Sequence, residues 1–379
     1  MLYDKCRHMK RMFTLIVVVF SCFSCSKNNS TDVSRNNPAE LTTEVLTQSL
    51  VYPWEMVYGP DGYIWFTERA GKISRLNPKN GVITLVHTIT EVTSTGEGGL
   101  LGMALHPQFA SNPYVYVTYD YRSAGEYGAK VVRFTFNNGV LSDPLVLLDK
   151  IPASANHDGS RLLITTDQKL LVTTGDANAP SNAQDTASLS GKILRINLDG
   201  SIPADNPFPG SPLWSYGHRN PQGLVMANNK LYASEHGPDN DDEVNLIQQG
   251  KNYGWPDVQG YCNTTGEKVF CAAHDVTEPM IAWTPTIAPS GLDYYQSDYI
   301  PQWKNSLLLL TLKDARLLQL QLDDTGTKIT GSTPFFVNQF GRLRAICQSP
   351  DGKVYLATSN GSADKIIEVS VKTNQASNP

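Results

Sequence analysis

Charge, cysteine and long apolar runs are all scarce in this 379-residue chain. Only 18% of its residues are charged and 40% are hydrophobic, a globular composition that excludes a disordered chain. The formal net charge is −5. Without a cluster of Lys and Arg to neutralise phosphates, a nucleic-acid binder is excluded. The apolar run Phe13–Phe20 stops well short of the roughly 20 residues a spanning helix needs. Helical periodicity is nearly absent. Cysteine is limited to six residues, three of them (Cys6, Cys22 and Cys25) within the first 25. Glycine and proline are plentiful, about one residue in seven, so the chain turns often.

The first 24 residues read as an export signal. Lys5, Arg7, Lys10 and Arg11 outweigh Asp4 and precede the short apolar run, which suits a signal-peptide core. Removing that segment leaves the remainder at −8. Ser24-Cys25 at the end of the run is similar to a bacterial lipoprotein cleavage site, with Cys25 acylated; ordinary secretion without an anchor is the alternative. A lipid anchor is then the expected membrane contact. A polar tether is expected over 25–41. The pair Cys262 and Cys271 brackets a loop-like stretch that a disulfide could close in an oxidising compartment. Cys347, alone in an apolar strand, reads as a buried thiol.

The rest of the chain is organised by a repeat. A turn, an apolar strand, a gap and a second strand recur six times. The first copy is Pro60-Asp61-Gly62, Tyr63–Thr67 and Gly71–Leu76; the last is Pro350-Asp351-Gly352, Lys353–Ala357 and Lys365–Val369. Taking Asp61, Asn112, Gln168, Asn229, Asn305 and Asp351 as markers, the spacings are 51, 56, 61, 76 and 46. Units of this length cannot bury their faces alone and stack radially. The expectation is an all-β, six-bladed β-propeller with antiparallel four-stranded blades over 42–375. The longest spacing holds the Cys262–Cys271 stretch as a surface insertion.

Several segments carry more polar chemistry than a scaffold needs. Asn156-His157-Asp158 places an imidazole in a turn before a strand, and Gly175-Asp176 places a carboxylate at a strand end. A His with a carboxylate partner is the minimum for a general base, although such a pair is often only structural. Arg219, within Gly217-His218-Arg219-Asn220, has a donor fork suited to an oxyanion or carboxylate. Glu235–Glu243 is rich in carboxylates around Gly237-Pro238, which suits calcium or an exposed acidic turn. Lys313, Arg342 and Arg344 are late cations that could clamp a polycarboxylate or face solvent.

Gly96–Pro107, Gly217–Gly223 and Glu235–Trp255 together resemble the glucose/sorbosone dehydrogenase family, soluble quinoprotein sugar dehydrogenases that use pyrroloquinoline quinone (PQQ). The resemblance spans Pro53 to about Val369 and implies the same six-bladed propeller. It implies that His157 is the general base for the anomeric hydroxyl of an aldose, that Asp176 supports it, and that Arg219 stabilises charge on the quinone. Glu97, Asn220, Thr286, Lys313, Arg342 and Arg344 are implied cofactor contacts. Gly237, Pro238 and Asp242 are the implied calcium-holding residues. The expected partners are an aldose and an unidentified electron acceptor. In two places the chain departs from the pattern. Glu97 stands where glucose-specific members carry Gln, and Trp283 lies one residue before the position of a ring-covering Trp, which Thr284 occupies. A calcium-dependent propeller lactonase and a non-catalytic glycan- or protein-binding propeller are the alternatives.

Overall fold

Each of the six sequence units forms the two middle strands of a four-stranded antiparallel sheet. The computed structural model describes residues 38–372, so the export signal, Cys25, most of the tether and residues 373–375 lie outside the described residues. Strand β1 (Leu41–Leu50) comes first in the chain but belongs to the last blade. Blade 1 is β2 (Pro53–Tyr58), β3 (Ile64–Glu68), β4 (Lys72–Leu76) and β5 (Ile83–Thr88). Blade 2 is β6 (Leu100–Leu105), β7 (Tyr114–Ser123), β8 (Glu126–Asn137) and β9 (Val140–Pro152). Blade 3 is β10 (Leu162–Ile164), β11 (Lys169–Thr174), β12 (Lys192–Asn197) and β13 (Leu213–Tyr216). Blade 4 is β14 (Pro221–Ala227), β15 (Lys230–Glu235), β16 (Asp242–Ile247) and β17 (Ile281–Trp283). Blade 5 is β18 (Pro289–Tyr295), β19 (Ser306–Thr311), β20 (Leu317–Leu322) and β21 (Ile329–Phe335). Blade 6 is β22 (Leu343–Gln348), β23 (Val354–Thr358) and β24 (Asp364–Val371), with β1 as its fourth strand. Leu41 pairs with Val371 and Val45 with Ile367, so the two ends of the propeller close the ring.

Leucine-rich β19 shows why the blades cannot stand alone. Its side chains alternate between two faces, and both faces are apolar. Leu307 and Leu309 pack with Tyr232 and Val244 of blade 4, while Leu308 and Leu310 pack with Ile346 and Leu356 of blade 6. The same division gives a hydrophobic cluster at each of the six blade-to-blade interfaces. Burying one such Leu stabilises by about 1.5–3 kcal/mol.

A hydroxyl at the end of the repeat's first strand adds a second tie. Thr67 donates to Leu101 O (2.7 Å), Thr118 to Ser160 O (2.9 Å), Thr173 to Pro221 O (3.0 Å) and Ser234 to Ser290 O (2.8 Å). In each case the acceptor lies at or beside the inner strand of the next blade. The inner strands surround an axial cavity of about 280 Å³ lined by Met56, Met103, Leu162, Leu224, Leu292 and Ile346.

Between β16 and β17 the chain makes a surface excursion that contains helix α1 (Thr265–His274) and the Cys262–Cys271 disulfide. Thr264 and Glu267 form a reciprocal capping box at its start. None of its residues is buried, which is why no apolar stripe marks it in the sequence. Cys347 is a buried free thiol on β22.

Candidate active site

The loops that enter the inner strands carry the chemistry. His157 sits in the turn before β10 with φ of 63°, and its Nδ1 lies 2.8 Å from Asp176 Oδ1. The carboxylate only accepts, so Nδ1 donates and Nε2 is the imidazole's free acceptor. Asp176 is fully buried, and its other oxygen accepts from Trp255 Nε1 at 2.9 Å. A Cβ on Gly175 would stand 1.9 Å from His157 O, so only glycine lets the two segments approach.

Arg219 follows on the next blade. Its N–H donates to Glu235, whose second oxygen bonds His218 Nδ1 at 2.9 Å. Its guanidinium reaches His236 O (3.2 Å) and lies 5.3 Å from the Trp255 ring centroid. The backbone N–H of Asp176 donates to Arg219 O at 2.8 Å, which joins the imidazole pair to the arginine. Asn220 is buried, and its Oδ1 accepts from Gly159 N and Gln222 Nε2, both at 3.1 Å. In this structure it braces the His157 turn.

Arg344 is buried on β22 and donates to Gln222 Oε1 at 2.5 Å. Burial pushes its pKa down to about 9, opposed by the charge of Glu97. Arg219 is likewise lowered by burial, with Asp176, Glu235, Asp242 and Glu97 opposing. The charge of exposed Glu97 thus acts on both guanidiniums and on half-buried His236, whose pKa desolvation lowers to about 4. Arg342 is exposed just before β22, within charge range of Arg344. Lys313 Nζ donates to Thr286 Oγ1 at 2.7 Å.

Gly237 and Pro238 line a narrow cavity together with Arg219, Glu235, His236 and Trp255. A Cβ on Gly237 would meet Asn240 O at 1.9 Å, so this tight turn requires glycine. Asp242, expected in the metal set, accepts backbone donors with both of its oxygens. Its Oδ1 accepts from Gly237 N (2.8 Å) and its Oδ2 from Ile287 N and Ala288 N (both 2.6 Å). Those bonds brace the Gly237 turn, which also carries the Gly237 and Pro238 carbonyls of the expected set. No cluster of three or more His, Cys, Asp or Glu able to hold a metal occurs among the described residues. Trp283 packs into the cluster between blades 4 and 5, and Thr284 Oγ1 bonds Asp241 Oδ1 at 2.8 Å, so neither extends the site.

A profile of the family described as Glucose / Sorbosone dehydrogenase matches residues 50–368. The chain belongs to the glucose/sorbosone dehydrogenase family. It is 32% identical to quinoprotein glucose dehydrogenase B of Acinetobacter calcoaceticus, over 96% of this chain and 94% of that protein. It is also 32% identical to aldose sugar dehydrogenase YliI of Escherichia coli, over 88% and 94% respectively. The PQQ-bound structure of aldose sugar dehydrogenase from Streptomyces coelicolor superposes with a TM-score of 0.76 at 33% identity, covering 88% of this chain and all but 1% of that one, at 99%.

Sequence reasoning missed part of this family member's site. Arg69 donates to Gly96 O and faces Glu97 from blade 1. Arg161 pairs with buried Glu55 at 2.5 Å and lies over Trp54, whose other neighbour is Arg344. Trp255, at the end of a quoted motif, bridges Asp176 and Arg219. Only Trp255 had a sequence signal; Arg69 stands in the turn after β3 and Arg161 just before β10, where the sequence does not distinguish a site Arg from a surface one.

Proposed function

We propose that this chain is a PQQ- and calcium-dependent dehydrogenase that oxidises aldoses at the anomeric carbon to lactones. One observation carries the reading: an imidazole–carboxylate pair and a group of guanidiniums short of acidic partners converge on the same end of the ring. Arg69, Arg219 and Arg344 each keep a buried Nε without a hydrogen-bond partner. Cations that are buried or half-buried in this state fit a polyanionic ligand, because partnering removes the desolvation cost of an unpaired charge. The Gly237 and Pro238 carbonyls are hard oxygen donors that fit calcium. When bound, PQQ supplies the acceptor for the sugar's hydride and calcium supplies a Lewis acid beside it.

The remaining work belongs to the chain. His157 Nε2 takes the proton of the anomeric hydroxyl, and Asp176 stabilises the imidazolium that forms. Arg219 offsets negative charge developing on the cofactor side, in a geometry fixed by Glu235, His236 and Trp255. Arg344, Arg342 and Lys313 with Thr286 pair with the cofactor's carboxylates. Glu97 faces the sugar and selects among aldoses. A propeller lactonase has no polycarboxylate to hold, so the cation group favours the dehydrogenase. Export and acylation at Cys25 belong to the same proposal, which places the enzyme in the bacterial periplasm or on the outer membrane as a lipoprotein.

The test is reconstitution of the apo-protein with PQQ and calcium, with dye reduction followed across an aldose panel. The wild type reduces the dye, and His157→Ala retains PQQ but does not turn over. A folded wild type inactive on every sugar overturns the reading, and loss of PQQ binding in the variant overturns the role of His157.

A further inference from the structure

The loop carrying Glu97 and the loop carrying His157 meet at two buried aspartates that the mechanism above does not use. Asp120, on β7, is fully buried; its Oδ2 accepts from Gly99 N at 2.8 Å and its backbone carbonyl from Thr93 N at 2.8 Å, so it holds both ends of the Glu97 loop. Asp158 is 7% exposed, and its Oδ1 accepts from Ser154 N at 2.9 Å within the His157 loop. The loops also touch directly, Glu97 N donating to Ala155 O at 2.7 Å.

One oxygen of each aspartate, Asp120 Oδ1 and Asp158 Oδ2, is buried without a partner. The two carboxyls converge on one glycine: a Cβ on Gly98 would lie 2.5 Å from Asp120 Oδ2 and 3.3 Å from Asp158 Oδ2. Two ionised carboxylates in such a place repel and leave acceptors unpaired, whereas one retained proton turns the repulsion into an attraction. A cation would need more oxygen ligands than this pair offers, and no third ligating side chain joins it among the described residues.

We propose that Asp120 and Asp158 share a proton that latches the Glu97 loop to the His157 loop, which makes both aspartates positioning residues for the sugar. This rests on the reading of Glu97 and His157 given above. Burial raises Asp158 to about 7, with Glu97 and Asp176 adding to the rise and Ser154 N and His157 opposing it. Burial and Asp158 raise Asp120 well above the usual range, with Gly99 N and Arg69 opposing. Tyr127 also faces Asp158. As pH rises and the shared proton leaves to solvent, the two loops separate and sugar binding weakens.

The experiment uses the full chain and two readouts. In the loaded enzyme, wild-type KM for glucose rises by up to about tenfold per pH unit above the pair's titration. In Asp158→Asn, whose amide donates at every pH, KM stays flat over the same range. In the apo-protein, thermal unfolding reads the proton without any cofactor. A raised folded pKa means that wild-type stability is lost as pH climbs from the ordinary Asp value toward the pair's value. The Tm of Asp158→Asn relative to wild type therefore rises by several degrees between about pH 5 and pH 8. Asp120→Asn gives the same pattern and serves if the first variant does not fold.

A Tm gap that does not change with pH overturns the shared proton. A pH-dependent gap with a pH-independent wild-type KM overturns the latch. Selective stabilisation of the wild type by calcium or sodium overturns the proposal in favour of a cation site. A pH-dependent gap in a protein that oxidises no sugar supports the shared proton and strikes the functional reading instead.

Discussion

Replacing Asp176 by Asn removes one charge and little volume from the centre of the site. The carboxylate is fully buried and accepts three bonds: His157 Nδ1 at 2.8 Å, Asn178 N at 2.9 Å and Trp255 Nε1 at 2.9 Å. An imidazolium about 4 Å from a carboxylate, at an effective dielectric near 20, is stabilised by about 4 kcal/mol. Losing that in the transition state corresponds to about a thousandfold in kcat. Asn also turns one acceptor into a donor, which sets an N–H against either the Trp255 indole or the His157 side and costs about 1–3 kcal/mol of stability. The assay is dye reduction at saturating sugar and PQQ, with Tm measured alongside. A kcat loss near a thousandfold in a folded variant that still binds PQQ is expected. A loss below tenfold would refute the assignment of Asp176 as the charge behind the base.

Two further outcomes test the cation group and the ring. Arg344→Ala weakens PQQ binding by at least tenfold in calorimetric titration of the apo-protein, since a buried charged hydrogen bond is worth roughly 1.5–3 kcal/mol. Thr118→Val, which removes the 2.9 Å bond from blade 2 to Ser160 O, costs about 1 kcal/mol or somewhat more and lowers Tm by a few degrees without changing kcat.

How much of this was legible in the sequence depends on which strand is asked. The two middle strands of each blade were readable because neighbouring blades cover both of their faces. Tyr114–Thr118 and Lys130–Phe134 fall within β7 and β8, and Leu307–Thr311 falls within β19. The inner strands were not readable. Pro53–Tyr58, Pro221–Ala227 and Pro289–Tyr295 begin with proline, and the last two carry glycine where they crowd the axis, so their composition imitates loops. The outer strands fail for the opposite reason: β21, with Gly331 and Pro334, is almost wholly exposed. Helix α1 is held by its cap and the Cys262–Cys271 bridge and has no buried face to create a period.

The site divides in a similar way. His157, Asp176 and Arg219 stand in turns whose polar density is visible along the chain, and the fold brings them together. Asp242 lies in a carboxylate-rich stretch of the sequence; only the three-dimensional structure shows its oxygens accepting from three backbone N–H groups. Asp120 and Arg69 were invisible because their role depends on a loop that approaches them from the adjoining blade.

The most direct test of the cationic pocket is the absorption spectrum of the apo-protein titrated with PQQ and calcium, then mixed with an aldose. The account predicts saturable binding of one PQQ per chain and a spectral change from oxidised to reduced cofactor when the sugar is added. A titration without saturation, or a bound spectrum that no aldose alters, would contradict it.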